Sequence, residues 1–352
     1  MSTSVSAAAA AALLPILTGR RSPPASRVPG ISRRRIGSNP RLSSSSAPSP
    51  ILPTAAMATD GAASAAESKN TLLTFDTKED LAVSLAKYTA ELSEKFAAKR
   101  GAFTVVLSGG SLIDALRCFD ASPASSQIAP FLFPPGFTDH VEICWFGRKL
   151  TEPPYLESVA WSKWHVFWVD ERVVPKNHED SNYKLAFDGF LSKVPIPPGQ
   201  VYAINDALSA EGAADDYEAC LKQLVKSGVI AMSAATGFPR FDLQLLGMGP
   251  DGHIASLFPG HPLVNEKERW VTYIKDSPKP PPERITFTFP VINSSAYVAM
   301  VVTGAGKAGP VQKALSDKKT SSDLLPVEMA VLQDGEFTWF TDKPAVSMLQ
   351  NK

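Results

Sequence analysis

The sequence predicts an α/β protein: a three-layer α/β/α sandwich built on a mainly parallel, Rossmann-like sheet. Two observations carry this prediction. Short apolar runs of strand length alternate with amphipathic helical runs, the order that produces parallel strands joined by crossover helices. Four strand runs also end abruptly in glycine or charge, and a parallel sheet brings such ends to one edge, where ligands bind.

The folded part is expected to open with a helix. Thr77 and Asp80 form a capping-box start, and Leu81, Leu85, Tyr88, Leu92 and Phe96 follow at helical spacing until Gly101 breaks the run. Phe103 to Leu107 is an apolar strand ending in Ser108-Gly109-Gly110-Ser111, with a new helix from Leu112. His165 to Val169 is a second strand, ending in Asp170-Glu171-Arg172, and Ser181 is placed to cap the helix after it. Asp206 to Val225 reads as a helix with Tyr217, Leu221 and Leu224 inward. The strand Phe241 to Leu246 ends in a Gly-Met-Gly turn. Trp270 to Ile274 and Arg284 to Phe289 read as shorter strands; Ala296 to Val302 is a longer one, ending in Gly304-Ala-Gly-Lys307 before a helix. A last strand pair is expected around the turn at Asp334-Gly335, with Phe337 to Phe340 on its far side.

With 352 residues, 44% hydrophobic and 20% charged, the chain can bury a full core. Its formal charge of zero hides an asymmetry. Residues 1–59 hold seven arginines, no lysine and no acid, which leaves 28 basic against 35 acidic residues, a net of −7, in the remainder. A body of that sign is a poor nucleic-acid binder, so an anionic substrate needs a local basic grip. The Ser-, Ala-, Arg- and Pro-rich start, free of acids, has the composition of an organelle transit peptide, and its serine content favours a plastid. Its apolar run, Ala7 to Leu17, is too short to span a bilayer, and no other run is of membrane length. We therefore expect a transit peptide and linker over 1–66, a catalytic domain over 67–348 and a stromal location after the leader is removed; oligomeric state is left open. Cys118, Cys144 and Cys220 have no zinc or C-x-x-C spacing, and His178-Glu179-Asp180 lacks a second histidine at i+4, so neither a metal nor another cofactor is expected.

The chemistry concentrates in Leu245 to Gly260, where a strand runs into Gly247-Met-Gly-Pro-Asp-Gly-His253. One carboxylate, Asp251, and one imidazole, His253, sit at a strand tip; histidine titrates near neutrality and suits proton transfer. The run also satisfies G-x-G-x-x-G, but Pro259 and Pro262 leave no room for the helix that a dinucleotide site needs, Pro250 lacks an N–H, and Asp251 would repel a pyrophosphate. Ser108-Gly109-Gly110-Ser111, between strand and helix, offers backbone N–H groups and hydroxyls to a phosphate monoester. Lys307 at its own glycine turn and Arg284 at a strand start would complete a phosphate clamp, although each could equally be a solvated charge. Asp170-Glu171-Arg172 is either a structural ion-pair cluster or a set of carboxylates that orients sugar hydroxyls or the histidine.

Leu107 to Ser111, Trp168 to Pro175 with Asp180 to Tyr183, Leu245 to Gly260, and Ser277-Pro-Lys-Pro-Pro-Pro-Glu-Arg-Ile-Thr286 together resemble the 6-phosphogluconolactonase family, in the family's order. The text from Trp161 to Tyr183 most resembles plant lactonases. The related glucosamine-6-phosphate isomerases/deaminases share the glycine loop, the Asp-Glu pair and Asp-Gly-His, but typically continue with Phe-Asn-Glu-Pro, where this chain has Ser256-Leu-Phe-Pro259. The resemblance implies hydrolysis of 6-phospho-D-glucono-1,5-lactone to 6-phospho-D-gluconate, in the oxidative pentose phosphate pathway. It implies His253 as general base, Asp251 setting its tautomer, and no metal. It also exposes a departure: about thirty residues, 118–147, stand where family members run on continuously from Arg117. The insert reads as an extra translated segment that would split the helix after the phosphate loop, or as a surface excursion with the helix re-formed around it. In the first case the isoform would be a catalytically silent sugar-phosphate binder.

Overall fold

The computed structural model describes residues 69–109, 147–316 and 324–349. The leader, Gly110, Ser111, the helix expected from Leu112 and the insert up to residue 146 lie outside them.

Six strands form one all-parallel sheet in the order β1-β11-β10-β7-β2-β3: β1 (Lys69–Phe75), β2 (Phe103–Leu107), β3 (Trp164–Trp168), β7 (Leu243–Gly247), β10 (Tyr297–Val302) and β11 (Glu336–Asp342). β4 (Asp170–Arg172), β9 (Arg284–Phe287) and β8 (Val271–Ile274) make a small antiparallel sheet, and β5 (Ala231–Met232) pairs with β6 (Pro239–Arg240). The longer helices are α1 (Lys78–Arg100), α2 (Asn182–Gly189), α3 (Ala210–Lys226) and α4 (Ala308–Leu315).

The three layers follow from the strand pattern. Along β2, Phe103, Val105 and Leu107 pack into one cluster with Leu81, Leu85 and Phe96 of α1, while Val106 turns to the opposite cluster with Ala213, Tyr217 and Leu221 of α3 and Val311 of α4. A strand with both faces covered reads as a continuous apolar run, as this one does. α1 starts where Thr77 accepts the Asp80 N–H and stops at Gly101, whose φ of 75° is left-handed. Ser181 caps α2 by accepting the Lys184 N–H.

Three expectations need correction. The folded part opens with a strand, β1, before the helix; Leu72 points outward there, which spoils the apolar/polar alternation. No strand pair surrounds Asp334-Gly335: β11 is a single strand whose two edges are taken by β1 and β10, both parallel, and residues 326–329 form a helical turn that begins at Pro326. Asp206 precedes α3, which starts after Ser209; the Asp206 carboxylate instead accepts the Lys176 N–H at 2.7 Å.

The chain leaves β2 for β3 on one side of the sheet, and leaves β7 for β10 and then β11 on the other. The crevice at the C-terminal ends of β2 and β7 is therefore the topological switch point, the usual ligand position in such sheets.

Candidate active site

β7 runs into a closed loop at that crevice. The Gly249 N–H donates to the His253 carbonyl and the Gly252 N–H to the Gly249 carbonyl, both at 2.9 Å, while Gly252 takes a φ of 81°. The ring of backbone places the His253 imidazole over Gly249, where a Cβ would lie 2.1 Å from His253 Cε1. His253 Nδ1 and Asp251 Oδ1 are 2.5 Å apart. A carboxylate only accepts, so Nδ1 carries the proton and Nε2 is left with its lone pair. The Phe258 ring packs against the imidazole with centroids 4.8 Å apart.

A third group joins this pair. The Lys279 ammonium lies 3.3 Å from His253 Nδ1 and 3.5 Å from Asp251 Oδ1. Burial pushes the His253 pKa below the usual histidine value, and Lys279 adds to that, against the opposing pull of Asp251. Burial resists ionisation of Asp251, but the His253 hydrogen bond and the charges of His253 and Lys279 prevail, so its carboxyl stays well below the ordinary range.

Arg284 is 3% exposed, and its guanidinium donates to the carbonyls of Lys279 (2.8 Å), Pro280 (3.1 Å) and Pro281 (2.9 Å), so it shapes the proline-rich loop. Burial and the neighbouring Arg172 bring its pKa down to about 10. The buried Asp170 accepts the Ser256 hydroxyl on Oδ2 at 2.8 Å, while its Oδ1 meets no donor among the described residues. Glu171 is committed elsewhere. Its carboxylate accepts the backbone N–H groups of Arg172, Asn182 and Tyr183, each at 2.8 Å, and so holds the first turn of α2. Burial pushes it up to about 7 against those bonds. Asn182 in turn donates to the Asp170 carbonyl at 2.9 Å.

Across the antiparallel ladder Arg172 faces Arg284. One Arg172 nitrogen donates to the Asp180 carbonyl at 2.8 Å, and its buried Nε has no partner among the described residues. Lys307 is 2% exposed, and among the described residues no hydrogen bond or ion pair reaches its ammonium. Its turn is held by Asp342 at the end of β11, which accepts the Gly304 N–H at 3.0 Å. Ser108 is buried, and its N–H donates to the Leu245 carbonyl at 2.9 Å, which locks the end of β2 to β7. Gly109 lies against the Asn182 amide so closely that a Cβ would fall 1.8 Å from it. The sheet register thus brings Ser108 and Gly109, Gly247 to His253 and Thr303 to Lys307 to adjacent strand ends.

A cavity of about 600 Å³ lies elsewhere, between α2 and α3, lined by Tyr183, Phe187, Tyr202, Tyr217 and Cys220. Among the described residues no group of three or more His, Cys, Asp or Glu side chains gathers as a metal site.

The family model of glucosamine-6-phosphate isomerases/6-phosphogluconolactonase matches residues 146–339. A rice protein (Oryza sativa subsp. indica) named "Probable 6-phosphogluconolactonase 4, chloroplastic" is 72% identical over 99% of this chain and 100% of its own length. The chain belongs to this family. Within it, "6-phosphogluconolactonase 3, chloroplastic" of Arabidopsis thaliana is 58% identical over 80% of this chain and 76% of its own. The crystal structure of a 6-phosphogluconolactonase from Thermotoga maritima covers 78% of this chain and all of its own, at 26% identity and a TM-score of 0.57. The family match begins beside the end of the 118–147 insert.

Four residues that the structure brings to this crevice escape sequence reasoning: Lys279, Ser256, Asn182 and Asp342. Ser256 and Lys279 lie inside the motifs that carry the resemblance, yet spacing alone does not tell where their side chains land. Asn182 follows the cap Ser181. Asp342 reads only as the polar end of a strand.

Proposed function

We propose that this chain hydrolyses 6-phospho-D-glucono-1,5-lactone to 6-phospho-D-gluconate. The observation that carries the reading is the Asp251–His253 pair, with Nε2 free, at the switch point of the sheet. In the proposed reaction Nε2 removes a proton from water as that water attacks the lactone C1, and a tetrahedral intermediate forms. Its collapse breaks the bond from C1 to the ring oxygen; Nε2–H returns the proton to that oxygen, and C1 leaves as a carboxyl group, which ionises. Asp251 holds the tautomer and balances the transient imidazolium charge. The N–H groups of the glycine turns would stabilise the oxyanion.

The phosphate would be held by Lys307, at the strand end next to β7, with Arg172 and with Ser108 and Gly109 at the end of β2; Lys offers a point charge and Arg a bidentate fork to such an anion. Asp170 Oδ1 would accept a ring hydroxyl. Arg284 and Glu171 would act through what they hold, the proline-rich loop and α2. We further propose a plastid location, supported by the leader composition and by chloroplastic relatives, with the leader over 1–66 removed.

The test compares acid release from the phosphogluconolactone with ammonia release from glucosamine 6-phosphate. We expect the first and not the second, and a fall of about 10²- to 10⁴-fold in turnover for His253→Ala with little change in KM. Because the base must be unprotonated, activity should rise with pH through the His253 pKa, with the acid limb below the ordinary histidine value of about 6.5. Ammonia release, or undiminished hydrolysis by His253→Ala, would overturn the reading.

A further inference from the structure

The proline-rich loop is built to deliver one side chain. Arg284 grips three successive carbonyls, of Lys279, Pro280 and Pro281, and the Ser277 hydroxyl both accepts the Lys279 N–H (3.2 Å) and donates to its carbonyl (2.8 Å). The backbone of Lys279 is thus clamped on both sides, while its side chain reaches the dyad. Since the Nδ1 proton points at Asp251, Lys279 cannot donate to that nitrogen; it donates to Asp251 and stands 3.3 Å from the ring as a cation.

We propose that Lys279 is a positioning residue of the dyad: its ammonium pins Asp251 in line with His253 Nδ1 and keeps the resting imidazole neutral and ready to accept a proton. The proposal rests on the general-base reading above. Protonating His253 would place two cations about one hydrogen-bond length apart, so the resting enzyme avoids that state. The same repulsion makes the imidazolium formed during turnover a stronger acid, which favours proton return to the ring oxygen. The other charged groups that act on the imidazole among the described residues are Asp251 on its own loop and Asp170 from β4; the Arg284 guanidinium, from β9, lies over the Phe258 ring that packs against the imidazole. Both carboxylates favour the imidazolium, so Lys279 and burial are what oppose them.

A merely structural surface lysine would leave the pH profile alone, which sets the experiment: Lys279→Met and Lys279→Arg, assayed for lactone hydrolysis between pH 5.5 and 7.5. The proposal predicts that Lys279→Met moves the acid limb of kcat/KM upward by about half to one pH unit. Activity should fall several-fold more at pH 5.5 than at 7.5, KM should stay within about twofold, and Lys279→Arg should restore the limb. In the full-length protein the His253 Cε1–H resonance, identified by its loss in His253→Gln, should titrate higher by the same amount in Lys279→Met. An unmoved limb and resonance, with or without a rise in KM, would overturn the proposal; a rise in KM alone would make Lys279 a substrate contact. Retained hydrolysis in His253→Gln would instead sink the general-base reading, while the resonance still reports on Lys279.

Discussion

Replacing Gly249 by alanine is the sharpest steric probe of the dyad. The new Cβ would lie 2.1 Å from His253 Cε1, 2.2 Å from Nδ1 and 2.6 Å from Asp251 Oδ1. Carbon atoms in contact sit about 3.5–4.0 Å apart, so the imidazole must retreat by about 1.4 Å or more. That retreat carries Nδ1 away from a carboxylate now 2.5 Å distant, and Asp251 is displaced as well. Gly249 has no positive φ, so alanine adds little backbone strain. Overpacking of this kind costs about 1–3 kcal/mol, which a domain of this size survives. The loss should appear in chemistry, since misplacing a catalytic group by about 1 Å costs on the order of 10²-fold. The assay is kcat for lactone hydrolysis beside a thermal melt of the same sample. We expect a folded protein with kcat down by about 10²-fold or more. Near wild-type kcat in a folded Gly249→Ala protein would refute the placement of the imidazole on that glycine.

Two further outcomes follow. Lys307→Met removes the cation proposed for the phosphate: KM should rise by about tenfold or more with kcat less affected, in a protein whose thermal melt shows it still folded; an unchanged KM would remove Lys307 from the phosphate grip. Glu171→Gln leaves one carbonyl oxygen to face three backbone N–H groups, and should destabilise the fold by about 2–4 kcal/mol, read by denaturant melts; a loss below about 0.5 kcal/mol would mean that the carboxylate does not hold α2.

The strands that position the site are legible in the sequence because each is covered on both faces and reads as an uninterrupted apolar run broken by glycine, as at Leu107-Ser-Gly and Leu246-Gly-Met. The Asp251–His253 contact is equally local, two residues apart in one glycine turn. What depends on distant partners is not legible. β1 is an edge strand with Leu72 facing outward, so no clean alternation marks it. Asp-Gly at 334–335 carries a hairpin signal, overruled because β10 and β1 already occupy both sides of β11. Asp170 to Arg172 looks like a charged strand end, yet β9 pairs with it and makes it a strand of a second sheet. Lys279 reads as one polar residue among prolines; the grips of Arg284, from β9, and of the Ser277 hydroxyl hold its backbone where its side chain reaches the histidine.

The most direct measurement of the central claim is a crystal structure with 6-phosphogluconate bound. The account predicts the C1 carboxylate within hydrogen-bond reach of His253 Nε2 and the phosphate oxygens on Lys307, Arg172 and the Ser108 turn. Product seated in the cavity between α2 and α3, or with its phosphate on the His253 side and C1 turned toward Lys307, would contradict it.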